Sequence, residues 1–223
     1  MPSITKETLK FLKQLQDNNN KPWFEANRAV YEAVRENFIV FTGELIRGVA
    51  KFDPPIGTLE ARKTIFRINR DIRFSKDKSP YKNNFGATLS AGGKNMQTAG
   101  YYLQIQPGNN SFLAAGSYMP EPDKLAKIRQ EIDYNLKEFN SILKAAAFKK
   151  HFGELGDFDK LKTNPKGYAS DNPAIELLKY KSFVVTQNFT DKEVTDPGYI
   201  SEVIKACKTA YPLIKFLNAA LES

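Results

Sequence analysis

Alternating apolar and polar residues in the middle of the chain predict a β-hairpin, which restricts the folds open to this protein. Apolar residues occupy every second position of 99–106, and a second predicted strand spans 111–118. The residues between them, Pro107-Gly108-Asn109-Asn110, are typical of a tight turn. Strands joined by a short turn run antiparallel, so the sheet that contains them is at least partly antiparallel.

Further strands and four helices are predicted on either side of this hairpin. Apolar residues alternate over 85–89 and 183–187, and the stretch 64–74 alternates as well. In the predicted helices, apolar residues recur three and four positions apart. These helices span about 5–18, 22–49, 122–146 and 197–217, and Pro212 is expected to kink or interrupt the last one.

This order of elements predicts an α+β fold. An antiparallel sheet of about four to six strands is expected to pack against several long amphipathic helices. No repeat or linker divides the sequence, so we expect a single domain over residues 1–223. A chain of this length buries roughly 70% of its unfolded surface, which is enough for a core of its own.

The sequence favours a cytoplasmic protein with no membrane association. No apolar run reaches the 18 or so residues of a membrane span. Cys207 is the only cysteine, so no internal disulfide can form, and this fits a reducing compartment. The position of Cys207 on the apolar stripe of the last helix predicts a small core residue. The oligomeric state is left open.

The positive charge of the chain is concentrated in one segment, residues 62–82. Eight basic and two acidic residues there give 8 − 2 = +6 of the net +8 of the chain. A local excess of positive charge favours an anionic partner, such as a phosphorylated small molecule or nucleic acid. The alternative is a solvated basic loop. The basic residues are Arg62, Lys63, Arg67, Arg70, Arg73, Lys76, Lys78 and Lys82.

Arg70 is the residue of this segment that most needs a partner. If 66–74 is extended, Arg70 shares one face with Phe66, Ile68, Ile72 and Phe74. A guanidinium on an apolar face is costly unless it is paired. Either a carboxylate from elsewhere in the chain or a bound anion therefore meets Arg70, and the sequence leaves both open.

The loop that follows supplies further groups that bind oxyanions. Hydroxyl, amide and ammonium groups recur over 75–83, and Pro80 stiffens the loop. Asp71 and Asp77 are expected to orient the arginines or, as an alternative, to hold a divalent metal. The predicted ligand-binding residues are Arg67, Arg70, Asp71, Arg73, Asp77, Lys78, Tyr81 and Lys82.

These residues carry a resemblance to a known family. The pattern Arg67-x-x-Arg70-Asp71-x-Arg73-Phe74, followed by Asp77-Lys78-x-x-Tyr81, resembles the signature of the domain-of-unknown-function family 2461. The likeness covers nearly the whole chain, including Pro22-Trp23-Phe24 and the stretch 165–173. It implies a predominantly bacterial family of this length with no established activity, so no catalytic role is carried over.

Several common sites are excluded or disfavoured by what the chain contains. Gly92-Gly93-Lys94 lacks the spacing of a phosphate-binding P-loop, and no dinucleotide fingerprint follows a strand. A single histidine and a single cysteine exclude zinc sites built from several such ligands. His151 is expected to be exposed or packed rather than catalytic. We therefore predict no cofactor and no metal, and name no catalytic residue.

Three functional hypotheses remain. The leading one is that segment 62–82 binds a phosphate-bearing or other anionic ligand. The second is metal-assisted phosphoryl transfer or phosphodiester cleavage at the same place. The third is a structural ion-pair network, with an interaction function elsewhere on the surface. Four hairpin aromatics are expected either to stack nucleobases or to form cross-strand packing pairs: Tyr101, Tyr102, Phe112 and Tyr118.

Overall fold

The computed structural model describes residues 3–95, 98–157 and 159–222 of the chain. Two short 3₁₀ helices, Pro54–Thr58 and Gly93–Asn95, accompany the main elements. The helices are α1 Lys6–Asp17, α2 Lys21–Ala26, α3 Arg28–Val49, α4 Ala61–Thr64, α5 Pro122–Tyr134, α6 Leu136–Lys144, α7 Ala146–Phe152, α8 Ile175–Leu178, α9 Asp191–Val194 and α10 Tyr199–Glu222. The strands are β1 Phe85–Leu89, β2 Gly100–Ile105, β3 Ser111–Ser117 and β4 Phe183–Phe189.

The four strands form one antiparallel sheet in the order β1-β2-β3-β4. The hairpin between β2 and β3 is confirmed, with Gly100 opposite Gly116 and Tyr102 opposite Ala114. The last strand returns after helices α5–α8 and pairs with β3 along its whole length. The sequence-based prediction of an α+β fold is therefore confirmed, with the smallest number of strands that it allowed.

Helices cover one face of the sheet. Helix α10 packs against β3 and α3, and α3 also contacts β1. The side chains between these layers are fully buried and come from alternate strand positions, as Leu103, Leu113 and Val185 illustrate. The opposite face carries the intervening positions, among them Tyr102 and Ala114, which are only partly buried. No helix in the described ranges is long and apolar enough to cross a bilayer.

The predicted second helix, 22–49, is wrong in its continuity because it divides at Asn27. The side-chain amide of Asn27 donates to the Trp23 carbonyl at 2.8 Å, and its backbone leaves the helical conformation. Asparagine competes with the helix in this way because its amide can replace a backbone partner. Ala26 and Val30, which the periodicity placed on the apolar stripe, are exposed as a result.

The two later helices also differ from prediction. The predicted helix 122–146 is divided at Asn135 into α5 and α6, and α7 begins after Ala145 and continues to Phe152, past the predicted end. Pro212, in contrast, lies inside α10 without interrupting it. A proline removes one helical hydrogen bond, but Ala210 and Leu213 on either side are fully buried and hold the helix against the core.

Candidate functional site

The basic segment 62–82 folds into a hairpin-like loop rather than the predicted strand over 64–74. Residues 65–70 run antiparallel to 80–87, but only isolated bridges join them, including Asn69 to Tyr81. Beyond Ile72 the chain turns, since the Ser75 amide donates to the Ile72 carbonyl. The predicted alternation of faces therefore fails at Phe74, whose side chain is 96% exposed.

Arg70 meets a carboxylate from its own loop. Its guanidinium forms an ion pair with Asp77 and also donates to the Ser79 carbonyl at 3.2 Å and to the Ser75 hydroxyl at 3.3 Å. The structure thus shows the internal carboxylate, which is one of the two partners that the sequence leaves open. The Arg70 side chain is 25% exposed, so these contacts brace a half-buried loop rather than a dry core.

Both acids of the segment are held in the charged form. The hydroxyl and backbone amide of Ser79, together with Arg70, lower the pKa of Asp77 to about 2. The guanidinium of Arg73 donates to both carboxylate oxygens of Asp71, at 3.0 and 2.7 Å, and lowers its pKa. Asp71 therefore orients an arginine, which is one of the two roles predicted for it.

Tyr81 ties the loop to the helices. The side-chain amide of Asn19, just after α1, donates to the Tyr81 carbonyl at 2.9 Å and accepts from its backbone amide at 3.0 Å. The Tyr81 ring is buried and stacks on Phe24 with 4.1 Å between centroids. Lys78 donates to the Ile72 carbonyl at 3.0 Å within the loop.

A polar cleft of about 390 Å³ opens between this loop and the end of α1. The structure places four of the eight predicted site residues in its lining. The other four, Arg67, Asp71, Arg73 and Lys78, are not part of the lining. Its residues are Gln16, Asn19, Arg70, Asp77, Ser79, Tyr81, Lys82, Asn83 and Asn84.

A cluster of three cations lies on the sheet side of this cleft. Burial lowers the pKa of Lys82, and the nearby charges of Arg67 and Lys94 lower it further. The ammonium groups of Lys82 and Lys94 lie 5.4 and 5.8 Å from the centre of the Phe66 ring. Within the described ranges, none of the three cations has a carboxylate oxygen within 4.0 Å.

Half of the basic residues of the segment are neutralised by acids. Each of them forms an ion pair: Arg62 with Glu36, Lys63 with Glu60, Arg70 with Asp77 and Arg73 with Asp71. The unpaired positive charge is therefore confined to fewer residues than the sequence predicts. Lys94, which lies outside segment 62–82, adds to it. Sequence reasoning missed Lys94 because this lysine lies outside the basic segment; only its neighbouring glycines drew attention to it.

The hairpin aromatics divide between the two faces of the sheet. Tyr101 is buried in the core and its hydroxyl donates to Asp53 at 3.1 Å, so of its two expected roles the structure favours packing over stacking. Tyr102, Phe112 and Tyr118 instead line a groove on the outer face, beside Phe66. Burial raises the pKa of Asp53, while the hydrogen bond from Tyr101 opposes that rise.

The single histidine and the single cysteine lie outside both the basic loop and the groove on the outer face of the sheet. His151 is half-buried and its Nδ1 lies 3.0 Å from the amide oxygen of Gln187, which agrees with a packed histidine. Cys207 is fully buried in α10, as predicted. In the part of the chain that the structure describes, no three His, Cys, Asp or Glu residues are grouped closely enough to hold a metal ion.

A family model described as "Conserved hypothetical protein (DUF2461)" matches residues 7–216 of the 223-residue chain. The matched range includes the basic loop, the polar cleft and the outer face of the sheet. No curated protein and no solved structure matches the chain.

Proposed function

We propose that this chain, which belongs to the DUF2461 family of conserved hypothetical proteins, binds a phosphate-bearing ligand at its basic loop. The cluster of Arg67, Lys82 and Lys94 carries the proposal. These three like charges lie close together, and the described residues provide no carboxylate for any of them. Such an arrangement repels itself and concentrates positive potential, and a bound anion relieves both effects.

The contacts suggest different roles for the arginines of the loop. Arg67 and Lys82 contact the anion directly in this proposal, since neither has an acidic partner. An anion at Arg70 or Arg73 would have to compete with Asp77 or Asp71. Arg70 therefore acts mainly as a brace that shapes the loop, as the structural hypothesis suggests. That hypothesis and ligand binding are compatible because they use different residues.

The polar cleft offers neutral donors beside the same charges. Lys82 lines it together with Asn83 and Asn84. Amide groups complement a phosphoryl oxygen without adding charge. Nothing in these contacts favours phosphoryl transfer over simple binding. The compartment that we propose is the cytoplasm, because the single cysteine is buried and needs no oxidising environment. That this cytoplasm is bacterial is proposed from the family resemblance alone.

The test is a titration with inorganic pyrophosphate, followed by calorimetry and by thermal shift at two salt concentrations. The variant is Arg67→Gln/Lys82→Gln. Its matched control is Lys10→Gln/Lys215→Gln, which removes the same charge from two exposed lysines on α1 and α10. We expect the first variant to lose at least tenfold in affinity, since a charge-assisted hydrogen bond contributes about 1.5–3 kcal/mol, and the control to bind like the wild type.

Two results would contradict the proposal. One is a wild-type protein that pyrophosphate neither binds nor stabilises. The other is an equal loss in both double variants, which would indicate attraction by net charge alone. Thermal unfolding of each variant without ligand must accompany the titration, so that a loss of binding is not confused with a loss of fold.

A further inference from the structure

The outer face of the sheet contains a groove of about 680 Å³ beside the cation cluster. Its floor includes small residues: Gly100 and Gly116 face each other across β2 and β3, and Ala114 lies two positions from Gly116 on β3, on the same face of the sheet. These glycines have backbone reasons to be there: Gly116 has a φ of 136°, and a Cβ on Gly100 would overlap the Leu89 carbonyl. The result is a depression with a flat floor.

Aromatic rings line the groove in a continuous row. Phe66 and Tyr102 meet edge to face with centroids 6.0 Å apart, and Tyr102 lies 5.7 Å from Phe112. Thr186 of β4 and Ala114 lie beside this row. Aromatic surfaces on an otherwise flat sheet face bind planar rings by stacking, and they tolerate different bases because every base has a π-face.

The cation cluster stands at one end of this aromatic row. The ammonium groups of Lys82 and Lys94 lie over Phe66, one ring away from Tyr102. In a nucleotide, a single sugar separates the planar base from the phosphate. Here the Phe66 ring, whose centroid lies 6.0 Å from that of Tyr102, separates Tyr102 from the two ammonium groups.

We propose that the groove and the cation cluster together bind a nucleoside phosphate, with the base stacked against Tyr102 and Phe112. The phosphate then lies at Arg67, Lys82 and Lys94, so this inference rests on the proposed function and extends it. What it adds is the class of ligand: a planar heterocycle joined to a phosphate through a short linker.

The distribution of charge favours a mononucleotide over a nucleic-acid strand. Proteins that bind single strands follow several phosphates with a continuous positive groove. Here the cations are gathered at Phe66. Asp159 also lines the groove, and its charge is balanced by Lys181 at 2.7 Å. The described residues thus provide one phosphate position.

The experiment compares five probes by calorimetry: pyrophosphate, ribose 5-phosphate, adenosine, adenosine 5′-monophosphate and an eight-nucleotide oligothymidylate. We expect adenosine 5′-monophosphate to bind about tenfold or more tightly than ribose 5-phosphate, because stacking adds to the phosphate contacts. Ala114→Leu, which fills the floor of the groove, should abolish that difference and leave pyrophosphate binding unchanged. Phe112→Ala should act in the same direction, and its matched control is Tyr134→Ala, an exposed tyrosine on α5.

The outcomes separate this inference from the proposed function. If pyrophosphate binds but adenosine 5′-monophosphate has no advantage over ribose 5-phosphate, the groove inference is wrong and the proposed function stands. If pyrophosphate fails to bind, the proposed function itself is overturned and this inference with it. If Ala114→Leu does not fold, Phe112→Ala decides in its place.

The same protein samples test two other occupants of the groove, a nucleic-acid strand and a second copy of the chain. Oligothymidylate that binds far more tightly than the mononucleotide would overturn the assignment in favour of nucleic acid. A wild-type dimer in light scattering that Phe112→Ala converts to a monomer would identify the groove as a contact between two copies of the chain. Either result would overturn the proposal that the groove binds a mononucleotide.

Discussion

Arg67 and Arg70 lie three residues apart in the same loop, yet their surroundings are opposite. Arg70 has three partners within the loop, whereas Arg67 is exposed and has no carboxylate within 4.0 Å in the described part of the chain. The sequence predicts where the basic segment lies, because composition alone reveals it. Which of its cations are neutralised depends on how the chain folds back on itself, and no pattern in the sequence encodes that.

The carboxylate of Asp77 neutralises Arg70 over the whole physiological range of pH. Its pKa in the folded protein, about 2, lies below the ordinary value of 3.8. A lowered pKa stabilises the fold above the ordinary value, and this contribution is lost as the pH falls through 4 towards 2. Between pH 5 and 8, therefore, titration of this group cannot release Arg70.

Replacing Asp77 should release Arg70 from its ion pair. We expect Asp77→Asn to tighten pyrophosphate binding several-fold at pH 7, since the charge of Arg70 is no longer compensated. The asparagine oxygen can still accept from the amide and hydroxyl of Ser79, so the shape of the loop is preserved. Calorimetry at two salt concentrations measures the change.

The comparison variant for Asp77→Asn is Asp71→Asn, which frees the more exposed Arg73 outside the polar cleft. It should have the smaller effect. Unchanged or weaker binding in Asp77→Asn would mean that Arg70 has no access to the anion, and would leave it a structural role alone.

Among the secondary-structure elements, the helices were predicted well in position and poorly in continuity. Apolar periodicity runs through both Asn27 and Asn135, so it reveals neither break. At Asn27 the break accompanies a side-chain amide that competes with the backbone, whereas the amide of Asn135 donates to the side chain of Glu131. Pro212 was misjudged in the other direction, because burial on both sides outweighs one missing hydrogen bond. Local pattern predicts which face is buried, and tertiary contacts decide where a helix ends.

The close approach of α3 to α10 depends on Gly48, which has no side chain. A Cβ at Gly48 would overlap the side chain of Ile204, coming within 2.8 Å of its Cγ1. Gly43, on the same helix, has nothing nearer than 3.8 Å. The two glycines therefore form a matched pair for the effect of a single methyl group.

We expect opposite results from Gly43→Ala and Gly48→Ala. The first should stabilise the protein by up to about 1 kcal/mol, which is the helix-propensity difference between the two residues. The second should lose that gain and cost about 1–3 kcal/mol through overpacking. Urea unfolding gives both free energies.

A double variant isolates the contact behind this difference. Adding Ile204→Ala to Gly48→Ala should cost less than the sum of the two single changes, because the contact is shared. Strict additivity would show that Ile204 moves aside freely and that Gly48 does not set the approach of the two helices.

At the scale of the whole molecule, the sequence predicted the class of fold but not how its parts meet. Strands that follow one another along the chain usually pair, so the pairing of β1, β2 and β3 follows from their order. The position of β4 and the groove do not follow from local pattern, because each brings together distant segments. Phe66, the hairpin and Thr186 meet only in the folded chain.

We expect the chain to unfold as one cooperative unit, as a single domain should. Strand β4 completes the sheet begun by β1–β3, and α10 packs against both the sheet and α3. Neither half of the chain can therefore bury its apolar surface alone. Far-UV circular dichroism and the fluorescence of Trp23, the only tryptophan, should give coincident urea transitions. Two separate midpoints would indicate independent domains.

The burial of Cys207 makes the rate of thiol labelling a measure of how often the native structure opens. The thiol is fully buried in α10, and its burial raises its pKa, so the native state presents no thiolate to a reagent. Labelling can proceed only when α10 leaves the sheet, and its rate therefore counts openings of the native structure. We expect labelling to be slow in buffer and its rate to increase over the same urea concentrations as global unfolding. Immediate labelling in buffer would instead show that α10 opens independently of the rest of the fold.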